Sequence, residues 1–245
     1  MLVLAFDTAQ GACSAAISRD GVLLAQCHEV MQRGHAEKLL PMVENIRLQA
    51  AVDYADLDLI AVTIGPGTFT GVRVGLAAAR ALALVHGTPL LGIGTLELLA
   101  QGALRMAAVS SVPSGAQMDQ GSAVVAAIDA RREELYAQVF DLAGAAVTQP
   151  TVGSMEQLRL DITALDISPG CIVGTGAELL QAAVPDWRVE PSIIFPDAAV
   201  LALAAPGWRA RVSATAPSPL YLRAPDARLP GQKGPPAQPV PAATS

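Results

Sequence analysis

The sequence predicts an α/β protein of two similar lobes, each a mixed sheet flanked by helices. Three observations predict it. Short apolar runs separated by turn formers open the chain, runs with helical spacing follow, and the same order of strands and then helices begins again near residue 123. With 245 residues there is chain enough to bury a substantial core.

In order, LVLAF, CSAAIS and VLLAQCHEV are separated by DTAQGA and RDG, which reads as three antiparallel strands. From about residue 34 to 51, Leu39, Val43, Ile46 and Ala50 share one helical face. Pro41 suits a first turn better than a helix interior, so this helix is expected to begin after His35. A strand over 57–64, a glycine turn, a helix over 69–86, a strand over 89–93 and a helix over 95–106 complete a first lobe, residues 1–106. Residues 107–122, AAVSSVPSGAQMDQGS, are rich in breakers and read as a loop. The second lobe, 123–223, runs AVVAAID, a turn at ARRE, ELYAQVF, a strand over 147–152, a short helix near 154, the strand CIVG, and helices near 177 and over 197–209. Residues 224–245 hold six prolines and almost no large apolar residue, the composition of a disordered tail.

Composition narrows the function. Apolar residues make up 52% and charged residues 16%, an excess of apolar surface that points to a partner. A net charge of −6 leaves no large basic footprint, so any RNA role leans on another subunit. Cys13, Cys27 and Cys171 lack CxxC spacing and read as reduced thiols rather than a zinc site. The start MLVLAFD has no basic leader, and the apolar stretch 69–85 carries Arg73 and Arg80, each costing about 2.5 kcal/mol or more in a bilayer. A cytoplasmic protein with no membrane partner is expected.

The stretch GPGTFTGVRVG at 65–75 looks like a phosphate cradle, yet Val72 and Arg73 stand where a P-loop needs Lys and Ser or Thr. As a dinucleotide fingerprint it fails at Thr70, since Gly71 arrives one residue late. The helix behind it is apolar nearly all round and must be covered on more than one side. Gly71, Gly75 and Ala79 form a small-residue stripe along it, which packs either inside the chain or at a subunit interface.

The runs FDTAQGACSAAI, RGHAEKLLPMV, TIGPGTFTGVRVGLAAARALA, GTLELLA, DARREELYAQVF, VGTGAEL and PLYLR occur in the order found in the TsaB (YeaZ) family, which the chain resembles from residue 1 to about 223. The resemblance implies the duplicated actin, hexokinase and Hsp70 (ribonuclease H-like) fold. It also implies a non-catalytic scaffold that holds TsaD, the metal-binding subunit that transfers a threonylcarbamoyl group to N6 of adenosine 37 in tRNAs reading codons that begin with A. The ATPase TsaE is the third member, tRNA is reached only through the complex, and the chain alone forms a homodimer. The implied contact face lies on the first two helices. Its candidates are His35, Leu39, Val43 and Ile46 on the first, and Gly71, Val72, Gly75, Ala79 and Leu82 on the second.

TsaD-like subunits carry HxxxH, which places two imidazoles on one metal; this chain has only His28, His35 and His86. His28 and His35 would stand about 10 Å apart along a helix. No metal is therefore expected here; it belongs to TsaD. Asp7 and Thr8 lie where this fold meets ATP phosphates and magnesium, but Ala9 replaces the family's common serine. Asp129 opens the equivalent second turn, followed by Arg131, Arg132, Glu133 and Glu134 rather than glycines. No cofactor is expected. The alternative is a stand-alone ATPase or small-molecule kinase using Asp7, Thr8 and Asp129 around magnesium. A peptidase lacks support, since no GxSxG is present.

Overall fold

A computed structural model describes residues 1–109 and 122–223. The first lobe contains β1 (Leu2–Asp7), β2 (Ala12–Arg19), β3 (Val22–Val30), α1 (His35–Ala50), β4 (Leu59–Thr63), α2 (Phe69–His86), β5 (Leu90–Ile93) and α3 (Thr95–Val109). The second contains β6 (Ser122–Asp129), β7 (Glu134–Asp141), β8 (Thr151–Ser154), α4 (Met155–Thr163), β9 (Ser168–Val173), α5 (Ala177–Gln181), β10 (Arg188–Val189) and α6 (Ala198–Ala204). The sheets run β3-β2-β1-β4-β5 and β8-β7-β6-β9-β10. In each, the first three strands pair antiparallel and the fourth and fifth join in parallel. The second lobe thus repeats the first strand for strand, the duplicated two-lobed plan with mixed sheets flanked by helices that the sequence led one to expect.

Burial explains why the central strands are apolar throughout. Leu4 and Phe6 of β1 face one side, with Ile60 and Val62 of β4, and meet Leu39, Met42, Val43 and Ile46 of α1 and Val72 and Leu76 of α2. Val3 and Ala5, with Leu59 and Ala61, face the other side and meet Ala198, Leu201 and Ala202 of α6. A parallel pair covered by helices on both faces reads as a continuous hydrophobic run. In the second sheet, Val124, Ala126 and Ile128 pack on Leu96, Leu99 and Ala103 of α3, while Val125 and Ala127 pack toward Leu158 and Leu180 of α4 and α5.

The last helix of each half therefore serves the other half. α3 lies on the second sheet and α6 on the first, and the two touch one another between the sheets. Packing consequently crosses the sequence divisions at 106 and 123. Of the segment 107–122, residues 107–109 extend α3 and Ser122 begins β6; the remainder and the expected tail lie outside the described residues.

Three local expectations are corrected. α1 begins at His35 and holds Pro41 in its interior. Proline removes the bond to the carbonyl of Glu37, but both residues lie on the exposed face, where solvent can satisfy that oxygen. The strand expected over 147–152 forms later, as β8, because Ala145 and Val147 bond back to β7 in a tight loop first. The helix expected over 197–209 stops at Ala204 and tightens into a 3-10 turn through Pro206. β10, two residues long, was invisible in the sequence.

Candidate functional site

The two places the sequence singled out, the glycine turn and the first hairpin, are one site. Thr68 N–H donates to the Ala9 carbonyl at 2.8 Å, and Gln10 Nε2 donates to Pro66 O at 3.4 Å. Thr8 Oγ1 donates to the Gly71 carbonyl at 2.7 Å. A Cβ on Gly67 would stand 2.3 Å from Ala9 O, and one on Gly71 would stand 2.0 Å from Thr8 O. Glycine is thus required by the approach of one backbone to another. Thr68 then caps α2, its hydroxyl accepting from Gly71 N–H at 3.1 Å.

This contact seals Asp7. Its carboxyl is fully buried; Oδ1 accepts from Thr63 Oγ1 and from Ala9 N–H at 3.2 Å, and Oδ2 has no partner. Burial pushes its pKa from 3.8 up to about 7, against the two hydrogen bonds and with help from the nearby Asp197 charge. Thr8 is buried as well, its hydroxyl already engaged. Asp129 differs: it is exposed, its Oδ1 accepts from Arg131 N–H at 2.7 Å, and its own N–H donates to Thr175 Oγ1 at 3.0 Å.

The histidines are dispersed. His35 Nε2 lies 3.1 Å from Gln10 O, His86 stacks on Tyr54 with ring centroids 5.4 Å apart, and His28 lines a cleft of about 580 Å³ between the lobes, with Leu98, Met106, Phe195 and Asp197. Among the described residues no cluster of three His, Cys, Asp or Glu could hold a metal ion.

The interface candidates separate into two groups. Leu39, Val43, Ile46, Val72 and Ala79 are core residues of this chain, and Gly71 and Gly75 are buried against the first hairpin. A Cβ on Gly75 would lie 2.7 Å from Thr8 Oγ1. The small-residue stripe therefore seats α2 on its own sheet, and those seven residues are not an outward surface. His35 and Leu82 are half-buried at its border.

The outward surface was missed, although the all-round apolarity of α2 signalled it. Subtracting the inner face leaves Phe69, Leu84 and Val85 on α2, exposed by 53, 85 and 75%, with Leu40 and Leu48 exposed on the adjacent α1. By length and composition α2 could also cross a membrane, with 28% of its 18-residue window buried.

A family model described as "TsaD: tRNA N6-adenosine threonylcarbamoyltransferase" matches residues 27–160, over half of the chain. The chain is 41% identical over 136 residues to the tRNA threonylcarbamoyladenosine biosynthesis protein TsaB of Escherichia coli, covering 56% of this chain and 53% of that protein. It thus spans about half the length of that curated relative. Among solved structures, YeaZ from Pseudomonas aeruginosa is 31% identical with a TM-score of 0.71, over 90% of this chain and 99% of that one. An uncharacterized protein with similarity to peptidase YEAZ, from the same organism, is 32% identical with a TM-score of 0.72, over 91% and 99%. With the duplicated sheet, the sealed first hairpin and near-complete coverage of YeaZ together, the chain belongs to the TsaB (YeaZ) family.

Proposed function

We propose that this chain is a non-catalytic subunit of tRNA threonylcarbamoyladenosine synthesis. It binds a TsaD-like transferase and keeps it competent for modification of adenosine 37 in tRNAs reading codons that begin with A, together with a TsaE-like ATPase. The observation that carries the reading is the outward side of α2, where Leu84 and Val85 stand in solvent, together with Leu48 exposed on the adjacent α1. A helix so apolar on its free side calls for a covering partner. Arg73 and Arg80 on that face favour a protein partner over lipid. Without TsaD, a second copy of this chain covers the same face.

The sealed hairpin supports the non-catalytic part. Asp7 has no open route to a magnesium ion, Thr8 has given its hydroxyl away, and Asp129 is tied into its own turn. We read the chain as taking no cofactor, with metal held by the transferase, and as cytoplasmic. The test is threonylcarbamoyl transfer to an unmodified tRNA by TsaD and TsaE, supplied with threonylcarbamoyl adenylate and ATP, with and without this protein. Transfer should require the chain, and Leu84→Glu with Val85→Glu should abolish that requirement's effect and the pull-down of TsaD while shifting monomer stability by only about 0.5 kcal/mol. Transfer indifferent to the chain, or ATP hydrolysis by the chain alone that Asp7→Ala removes, would favour the ATP-dependent enzyme instead.

A further inference from the structure

The cleft of about 580 Å³ between the lobes carries a chemistry that neither hairpin turn uses. It is bounded by the end of β3, the middle of α3, the 192–197 loop and α6. Its walls are apolar, with Leu98, Phe195 and Val200 among them, and three further lining residues, Val30, Ile194 and Met106, are exposed by 67, 46 and 37%. The loop is held from both lobes. Gly174 N–H of the second donates to Ile193 O at 2.8 Å, and Ala198 N–H donates to Ser14 Oγ of the first at 3.0 Å. The wall is therefore formed before any ligand arrives. Phe195 closes the cleft toward the first hairpin, since a Cβ on Gly11 would stand 2.8 Å from Cε1 of its ring. Neither Asp7, Thr8 nor Asp129 lines the space, so it is not the place where those turns would meet a nucleotide.

Polar groups in the cleft are few: His28, Ser192 and Asp197 line it, and among the described residues no lysine or arginine does. Ser192 Oγ is already engaged, donating to Glu190 Oε1 at 2.7 Å. Asp197 caps α6, its Oδ1 accepting from Ala199 N–H at 2.8 Å, and it forms no ion pair among the described residues. Its charge reaches Asp7, where it adds to the burial that raises that acid's pKa. A carboxylate with no cation beside it, set in an apolar wall, repels anions and attracts a positive charge. An apolar cavity of about 300–1,000 Å³ with a few convergent polar groups is the usual form of a small-molecule site. We propose that this cleft binds a small amine, its apolar body lying among Leu98, Met106, Phe195 and Val200 and its ammonium donating to Asp197. A nucleotide is disfavoured, because its phosphates would meet Asp197 and no lining cation. The site shares no residue with the outward side of α2, so it goes beyond the subunit reading and is tested separately.

The probes share one ring body and differ in the arm: 2-(1-naphthyl)ethylamine, 2-(1-naphthyl)ethanol and 1-naphthylacetate. Each is titrated into the full chain at neutral pH and about 50 mM salt, where screening is modest, and followed by calorimetry. Saturable binding of the amine is expected, about tenfold tighter than the alcohol, with the carboxylate weaker still. Asp197→Asn keeps the oxygen that caps α6 and should bring the amine to the alcohol's level, changing the alcohol's own binding by less than about twofold. Val30→Trp, at an exposed position of the wall, should weaken all binding about tenfold by filling the opening. It carries the test of place if Asp197→Asn loosens α6. Failure of the amine to saturate overturns the proposal, and so does a carboxylate that binds as tightly as the amine. Amine binding that either folded variant leaves unchanged overturns it too. Each outcome is read without TsaD or tRNA, so the subunit reading is untouched by it.

Discussion

The first and second hairpin turns occupy equivalent places in two lobes of identical strand order, yet one is closed and the other open. At the first, glycines bring the 65–71 backbone down onto Thr8 and Ala9 and bury Asp7 completely. At the second, Asp129 stays in solvent and arginines occupy left-handed positions that glycine would adopt without strain. Duplication thus fixed the scaffold and left each turn free to take separate chemistry. In one lobe the first hairpin turn is core; in the other the equivalent turn is charged surface.

The largest expected effect comes from breaking the closed turn electrically. The folded chain keeps Asp7 protonated up to about pH 7, whereas the unfolded chain releases that proton near 3.8. The resulting stability is fully present below about pH 4 and is lost as pH rises through about 7, amounting to about 4 kcal/mol at most. Asp7→Asn keeps an acceptor for Thr63 and Ala9. Its stability should be flat across that window and exceed the native chain's at pH 8, as measured by urea unfolding at pH 5, 6, 7 and 8. An unchanged native slope would mean that Asp7 is not the sealed acid described.

A smaller effect tests the closure sterically. Gly71→Ala drives a methyl group against the Thr8 carbonyl and should cost about 3 kcal/mol, read as a lowered Tm. Gly75→Leu should likewise damage the monomer before it affects assembly, because its space is filled by Thr8 Oγ1 and Val62. At the open turn the sign reverses. Glu133→Gly relieves a left-handed residue and should stabilise by about 0.5–1 kcal/mol, the smallest change of the set. If it destabilised instead, the open turn would be held by contacts of the Glu133 side chain rather than enforced against its preference.

Much of this fold is legible in one sequence. Short apolar runs such as LVLAF and CSAAIS between turn formers placed β1 and β2, and the helical spacing of Leu39, Val43 and Ile46 placed the inner face of α1, since short-range pattern reports what is buried. The missing lysine after Gly71 and the lack of an HxxxH pair argued against phosphate and metal sites. Tertiary structure alone decided what buried each face. A core stripe and an interface stripe have the same composition, so Gly71 and Gly75 could be assigned to the chain's own sheet only once Thr8 stood against them, and Ala79 only once it lay in the core. The exchange of α3 and α6 between lobes, the meeting of Arg73 with Tyr221 and that of Arg223 with Ala130 all join residues far apart in the chain. Local pattern carries no information about such pairs, because it is set by turns and periodicity, whereas the partner of a buried or stacked side chain is set by where distant segments return.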